Sequence, residues 1–152
     1  MMQQIADPDS RFMAIALDEA RMAFDEGEVP VGAVVTAGNR LLARAHNQTQ
    51  RLNDVTAHAE MLAITAAAEA LGGKYLNDCT LYVTLEPCIM CAGAIGWSQL
   101  GRLVYGASDD KRGYRLYQGG RSPLHPRTEV VEGLMADDAA QIMRDFFAMR
   151  RK

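Results

Sequence analysis

The chain is short of cysteine, of net positive charge and of long hydrophobic runs. Three cysteines in 152 residues are too few for the disulfide framework on which small secreted domains depend. The formal charge of −3 is not that of a generic nucleic-acid binder, so a nucleic-acid substrate would have to meet local basic patches. No apolar run approaches the roughly 20 residues of a membrane-spanning helix. Because the N-terminus also has no signal-peptide pattern, we expect a cytoplasmic protein with no membrane partner.

The residues that are present have the balance of an ordinary globular protein. Hydrophobic residues make up 49% of the chain and charged residues 23%, which is enough apolar material for a core. The length suffices for one domain and not for two. We therefore expect a single domain over residues 7–152.

Two short segments hold the side chains with the clearest chemistry. They are Thr-Ala-His-Ala-Glu at residues 56–60 and Glu-Pro-Cys-Ile-Met-Cys at residues 86–91. Their histidine and cysteines are ligands that zinc prefers, and a catalytic zinc typically takes three protein ligands and keeps a fourth position for water. The predicted ligands are His58, Cys88 and Cys91. Glu60 follows closely enough to act on that water without being a ligand.

Both segments are predicted to open helices. Thr56 is a good N-cap before the alanine-rich run of residues 57–70, which places His58 and Glu60 in a first helical turn. Helix N-termini carry partial positive charge and exposed N–H groups, and both favour thiolate over thiol at a metal site.

The second segment places both cysteines on one helical face. Pro87 suits the first position of a helix, so Cys88 and Cys91 should lie one turn apart. A zinc ion bound there would lower the pKa of its water toward about 7. Glu60 would then take the water proton and pass it to a leaving nitrogen.

Two other interpretations of the Cys-x-x-Cys segment are open. It could be redox-active, or it could be half of a structural zinc site. A structural site is normally closed by a fourth Cys or His, and the spare residues Cys79, His46 and His125 do not have paired ligand spacing. The order of His-x-Glu and Pro-Cys-x-x-Cys, each opening a helix, instead matches the signature of zinc deaminases.

Hydrophobic periodicity and turn residues predict helices that alternate with strands. The predicted helices cover residues 8–27, 57–72, 87–98 and 137 or 138 to the C-terminus, and the predicted strands cover residues 33–37, 41–45, 80–85, 102–105 and 128–131. Only the first two strands form a clear hairpin, around Gly38 and Asn39. We therefore expect an α/β protein with three α/β/α layers and a five-stranded mixed sheet.

Residues 111–127 form a segment with five cations and no acidic residue. The cations are Lys111, Arg112, Arg115, Arg121 and Arg127, with Tyr114 and Tyr117 between them. Basic and aromatic side chains in this mixture suit phosphates and unstacked bases. The equally open interpretation is a solvated loop whose tyrosines pack on the core.

Several longer runs resemble the bacterial tRNA-specific adenosine deaminases. They are Val-Pro-Val-Gly-Ala-Val at 29–34, Thr-Ala-His-Ala-Glu-Met at 56–61, the run from Leu-Tyr-Val to Cys-Ala-Gly-Ala at 81–94, and Asp-Phe-Phe-Ala-Met-Arg-Arg at 145–151. The resemblance implies a cytidine-deaminase-like fold, a homodimer, zinc with no organic cofactor, and conversion of the wobble adenosine of a tRNA anticodon to inosine.

The resemblance also implies roles for individual residues. His58, Cys88 and Cys91 would bind zinc, Glu60 would move protons, and backbone N–H groups around Pro87 and Cys88 would help to hold the attacking water. The implied substrate contacts are Asn47 with the flipped adenine, Val31 and Pro30 packed against it, Asp109 with the target ribose, and Phe147, Arg150 and Arg151 near the anticodon loop.

Departures from the family pattern leave two alternatives open. Ser108 stands where many members have arginine, and residues 114–123 match the family poorly. One alternative is a deaminase of guanine or another free purine base or nucleoside. The other is a catalytically silent zinc-binding module, which would have no use for Glu60. A homodimer could use the apolar residues 92–95 together with Trp97.

Overall fold

The structure is a computed structural model that describes residues 7–117 and 119–150. Arg151, predicted near the anticodon loop, and Lys152 lie outside the described residues. The fold is organised around a five-stranded sheet in the order β2-β1-β3-β4-β5. Strand β1 pairs antiparallel with β2 and β3, whereas β3, β4 and β5 run parallel. The strands are β1 Gly32–Ala37, β2 Arg40–His46, β3 Cys79–Leu85, β4 Arg102–Ala107 and β5 Glu129–Glu132.

Within residues 7–117 and 119–150, four α-helices accompany the sheet. They are α1 Pro8–Asp25, α2 Ala59–Leu71, α3 Ile89–Trp97 and α4 Ala136–Arg150, and a short 3-10 helix covers Tyr114–Tyr117. Gly72 adopts a left-handed conformation with φ of 73° at the end of α2, as a glycine after a helix commonly does. None of the helices in the described part of the chain is long and apolar enough to cross a membrane.

Alternating side chains of the strands supply apolar cores on both faces of the sheet. Val35, Leu81 and Leu103 face α2 and α3, where Ala63 and Ile95 belong to the same cluster. Their sequence neighbours Val34, Tyr82 and Val104 pack instead with Phe12, Met13 and Ala16 of α1. Because successive strand residues point to opposite faces of a sheet, both faces are covered by helices. The predicted three-layer α/β fold with a five-stranded mixed sheet is confirmed.

The absence of a side chain at Gly32 allows α1 to lie directly against β1. A Cβ at this position would collide with the carbonyl oxygen of Ala16 and the backbone N of Ala20. This close approach sets where the start of β1 lies along the axis of α1. Val31, one residue earlier, is thereby positioned at the same end of the sheet as the site described below.

Three helices start at positions that differ from the prediction. Helix α2 begins at Ala59 rather than residue 57, because His58 is extended with ψ of 153°. The preceding Thr56 lies in a turn, where its N–H and hydroxyl both donate to the Asp54 carboxylate, over 2.8 and 2.7 Å. Helix α3 begins at Ile89 rather than Pro87, because Cys88 is extended with ψ of 173°. Helix α4 begins slightly early, at Ala136. The corrections move His58 and Cys88 to N-cap positions, whereas Cys91 stays in the first turn of α3.

Candidate metal centre and active-site cleft

The three predicted metal ligands come together where α2 and α3 begin. His58 is the N-cap residue of α2 and Cys88 that of α3, and Cys91 lies in the first turn of α3. Their donor atoms all lie within 4.8 Å of one another. His58 Nδ1 is 3.6 Å from Cys88 Sγ and 3.5 Å from Cys91 Sγ. A tetrahedral zinc with ordinary Zn–N and Zn–S bonds would place such atoms about 3.6 Å apart, so the donor set fits that ion.

The electrostatics of the cluster favour an anionic sulfur. The pKa of Cys88 is lowered to about 4, because it is hydrogen-bonded by Cys91 and by His58. The pKa of Cys91 is raised, because its proton is shared with Cys88 and the thiol is buried. The pKa of His58 is raised by its hydrogen bond with Cys88. A metal ion bound here would displace these shared protons, since metal binding requires deprotonated ligands.

Glu60 lies beside the cluster and is not one of its donors. Only 4% of Glu60 is exposed, and its carboxylate is not part of the group of three donors. Burial raises the pKa of Glu60 to about 7. A carboxyl group with a pKa near neutrality can both accept and release a proton. The arrangement therefore supplies a proton carrier next to three metal donors.

The cluster opens into a cleft of about 910 Å³. Seven of the residues predicted to form the site line this cleft: Val31, Asn47, His58, Glu60, Cys88, Asp109 and Phe147. The other predicted residues within the described ranges do not line it. Pro30 and Pro87 are buried immediately behind lining residues, and Cys91 is fully buried at the base of the cluster.

Asn47 is held at the wall of the cleft by its backbone. Its N–H donates to the Val31 carbonyl over 3.1 Å. Its side-chain amide donates to the Val29 carbonyl, and its side-chain oxygen accepts the Thr49 N–H, each over 3.4 Å. These side-chain distances are at the long end of the hydrogen-bond range. The amide thus has a fixed position and retains capacity for a further partner.

Residues of α4 that were not predicted from the sequence also line the cleft. Ala140, Met143 and Arg144 line it together with Phe147. Their spacing is i, i+3, i+4 and i+7, which is that of one helical face. The predicted position of Phe147 together with this spacing was a signal that could have identified Arg144. With Lys111 and Arg112, which also line the cleft, Arg144 forms what we call the cationic rim.

Only part of the basic segment 111–127 faces the cleft. Lys111 and Arg112 line it, whereas the Arg115 guanidinium binds the carboxylates of Glu86 and Glu132. Tyr114 is buried and Tyr117 is exposed. The segment therefore combines the two interpretations of its sequence: a cation-bearing edge of the cleft and a part packed on the core.

Arg150 lies at the end of α4 and does not line the cleft. Its guanidinium donates to the Gly27 carbonyl over 2.7 Å and lies 4.8 Å from the centre of the Phe146 ring. The predicted position of Arg150 near an anticodon loop stays a prediction.

Comparison with known proteins agrees with this geometry. The profile of the MafB19-like deaminase family matches residues 7–151. The tRNA-specific adenosine deaminase of Aquifex aeolicus is 50% identical over 142 residues, covering 92% of this chain and 94% of that protein. A solved structure from a study of A-to-I editing by tRNA:A34 deaminases at the wobble position of transfer RNA is 45% identical, with a TM-score of 0.80, covering 88% of this chain and 99% of that one.

A more distant likeness extends to a second activity. A solved structure from work on the guanine deaminase of Nitrosomonas europaea has a TM-score of 0.79 and 26% identity, covering 96% of this chain and 87% of that one. The match to the Aquifex protein is much closer in sequence. The chain belongs to the MafB19-like deaminase family, among the tRNA-specific adenosine deaminases.

Proposed function

We propose that this protein hydrolytically deaminates adenosine to inosine at the wobble position of tRNA anticodons. The observation that carries the proposal is the placement of buried Glu60 beside the donors His58, Cys88 and Cys91, at the inner end of a cleft edged by cations. We assign the activity to a single zinc-dependent domain over residues 7–152. Because tRNA is the substrate, the protein is expected to act in the cytoplasm.

Zinc suits the three donors by ligand type and by spacing. When bound, it supplies Lewis acidity that makes a water molecule acidic enough to react near neutral pH. The chain contributes His58, Cys88 and Cys91 as ligands. Backbone N–H groups around Pro87 and Cys88 help to hold the attacking water.

Glu60 moves the protons of the reaction. It takes one proton from the attacking water, whose oxygen bonds to C6 of the adenine, and delivers that proton to N1. It takes a second proton from the same oxygen and gives it to the amine, which leaves C6 as ammonia while the C6 carbonyl forms. Each transfer is general base or general acid catalysis by one carboxyl group. The burial of Glu60 keeps bulk water away from these transfers.

The walls of the cleft orient the extruded base. Asn47 hydrogen-bonds the adenine edge, and Val31, backed by Pro30, packs on the ring. Asp109 contacts the target ribose, and Phe147 meets a neighbouring base of the anticodon loop. Flipping a base out of a stack costs a few kcal/mol, and this cost is least in a single-stranded loop, which suits an anticodon.

The cationic rim supports a polynucleotide substrate. Lys111, Arg112 and Arg144 line the same cleft as Glu60, so cations lie where phosphates flanking the target nucleoside would pass. A free base has no phosphate to occupy such a rim. Arg150, at the end of α4, and Arg151, which follows it in the sequence, are proposed to approach the anticodon loop.

A homodimer is proposed as the working assembly. Trp97 is 86% exposed at the end of α3, whereas Ala92 and Ile95 are fully buried. The interface therefore cannot use the whole apolar run 92–95 and would be centred on Trp97. Tryptophan is among the residues that most often contribute a large share of the binding energy at an interface.

The proposed function is tested by comparing substrates. Metal-loaded protein is incubated with an anticodon stem-loop RNA that has adenosine at the wobble position, and separately with free adenosine, guanine and cytidine. Inosine is expected in the stem-loop only. Rapid guanine deamination with an untouched stem-loop would establish the alternative activity suggested by the guanine deaminase likeness.

A further inference from the structure

Another buried carboxylate, that of Glu86, lies between β3 and the metal ligands. Only 2% of it is exposed, and Cys88 follows two residues later. It accepts the backbone N–H groups of Asp109 and Arg115 over 3.0 and 3.2 Å. The Arg115 guanidinium also binds it through two nitrogens, over 3.0 and 3.1 Å. Four donors from one downstream segment therefore converge on one carboxylate.

The segment from Asp109 to Arg115 also contacts the metal-ligand segment at two further points. The Tyr114 N–H donates to the Pro87 carbonyl over 2.9 Å, and Gly113 forms an isolated β-bridge with Cys88. A Cβ at Gly113 would overlap the Glu86 carboxyl group. Residues 109–113, which we call the rim loop, thus cross directly over the residues that present the metal ligands.

The rim loop holds groups that face the substrate cleft. Asp109, Lys111 and Arg112 line the cleft, and the Asp109 carboxylate accepts the N–H groups of both Lys111 and Arg112 over 3.0 Å. These contacts make the loop a compact turn. The position of the loop is set by the contacts of Asp109 and Arg115 with Glu86.

We propose that Arg115 is a positioning residue: by neutralising buried Glu86 through a two-nitrogen contact, it fixes the rim loop over the metal-ligand segment and thereby aligns Asp109 and the loop cations with Glu60. This inference rests on the proposed function. It assigns Arg115 an internal role, in place of contact with a phosphate of the substrate.

Arginine is the residue that this role requires. Its planar guanidinium matches both oxygens of a carboxylate, whereas lysine offers a single point charge on a flexible stem. An unpaired buried carboxylate is strongly disfavoured. Loss of the Arg115–Glu86 pair therefore favours a conformation in which Glu86 is hydrated and no longer holds the rim loop. The second contact of Arg115, with Glu132 over 3.3 Å, is more exposed and contributes less.

The segment offers a matched control for charge. Arg121 is exposed and belongs to the same basic segment, so Arg115→Ala and Arg121→Ala remove equal charge. If Arg115 acts by position, Arg115→Ala lowers kcat/KM on the stem-loop by about 10-fold to 100-fold, the size expected when reacting groups are misplaced by about 1 Å. Arg121→Ala is expected to leave kcat at the wild-type level.

Arg115→Lys separates position from charge. It keeps the charge, so an electrostatic role predicts wild-type kcat and an unchanged salt dependence of binding. Positioning predicts that Arg115→Lys lowers kcat while keeping the metal and the salt slope. Gly113→Ala displaces the same loop with no change of charge, so it should lower kcat similarly. Wild-type kcat in both variants overturns the inference.

Hydrogen exchange tests the contact without any substrate. The amides of Asp109 and Arg115 both donate to Glu86, and in Arg115→Lys they are expected to exchange faster than in the wild type, while Arg121→Ala leaves them unchanged. Equal exchange in all three proteins overturns the positioning role. A wild-type protein that is inert toward the stem-loop contradicts the proposed function instead, and the exchange comparison still decides whether Arg115 holds the loop.

Discussion

The guanidinium of Arg150 donates a hydrogen bond to the carbonyl oxygen of Gly27 over 2.7 Å. This bond joins the last turn of α4 to the turn that follows α1. A cation near the end of α1 also lies at the negative end of the helix dipole. The final helix, which forms one wall of the cleft, is thereby attached to the segment that leads into β1.

Replacement of Arg150 should affect stability. Arg150→Ala is expected to lower the free energy of unfolding by about 1 kcal/mol, since it removes an exposed hydrogen bond and the packing of the guanidinium on the Phe146 ring. Urea denaturation measures the change. Arg144→Ala on the same helix is the control, with unchanged stability and weaker stem-loop binding. Undiminished stability in Arg150→Ala, together with weaker RNA binding, would identify Arg150 as a residue that binds RNA only.

Metal content should depend on two of the three cysteines. Cys88→Ser and Cys91→Ser are each expected to lose zinc and stability together, because metal affinity and folding are coupled. Cys79→Ala is the control: Cys79 is buried away from the donor group, so this variant should retain about one zinc per chain. Elemental analysis and thermal unfolding provide the readouts. Zinc at full content in Cys88→Ser would refute the assigned ligand set.

Glu60 should be needed for turnover and not for the metal. Glu60→Gln keeps the size of a buried side chain and removes its proton transfer, so kcat is expected to fall by at least about 100-fold with zinc content and melting temperature retained. Glu69→Gln, on the exposed face of the same helix, should behave like the wild type. Metal loss in Glu60→Gln would reassign the carboxylate as a ligand.

Stability should depend on pH through His46. Burial opposes its protonation, yet hydrogen bonds to Glu19 and Glu26 together with their charges raise the pKa of His46 above its ordinary value. Because the pKa is raised in the folded state, the contribution of protonated His46 to the free energy of unfolding is complete below the unfolded pKa of about 6.5. This contribution is lost as the pH rises through the folded-state pKa.

The test is the stability difference between wild type and His46→Gln as a function of pH. The other charged groups beside this site are Arg44, bound to Glu19, and Arg51, 3.9 Å from Glu26. Urea denaturation from about pH 6 to 9 should show the wild type losing its advantage over the variant as pH rises. An advantage that grows with pH would contradict the assignment.

The salt dependence of stem-loop binding should distinguish the cationic rim from Asn47, which contacts the base. Replacing Arg112 and Arg144 together by alanine is expected to weaken stem-loop binding and to reduce its salt slope, by about 0.7 for each phosphate that is no longer neutralised. Asn47→Ala should damage kcat and leave the slope unchanged, because Asn47 meets the base and not the backbone. An identical slope in the arginine variant would show that the rim does not meet phosphates.

The sequence by itself determined the local parts of the site. The spacing of Cys88 and Cys91 requires only one helical turn, and the His-x-Glu pair only the start of another, so these residues could be identified without a fold. Alternating apolar residues likewise determined the strands. The helix starts were less accurate, because the sequence does not show that Thr56 lies in a turn with Asp54 and that His58 is extended at the N-cap position.

The tertiary structure alone decided which partner each long side chain has. The same basic segment contributes Arg112 to the cleft and Arg115 to Glu86, although both arginines look alike in sequence. Along α4, likewise, Arg144 lines the cleft whereas Arg150 binds the Gly27 carbonyl. A cation binds whichever carboxylate, carbonyl or phosphate the fold brings within reach, and a buried carboxylate 29 positions away in the chain competes more strongly than solvent. A local sequence pattern does not show which distant residues come into contact. Only the packing of the sheet and helices could therefore determine these partners.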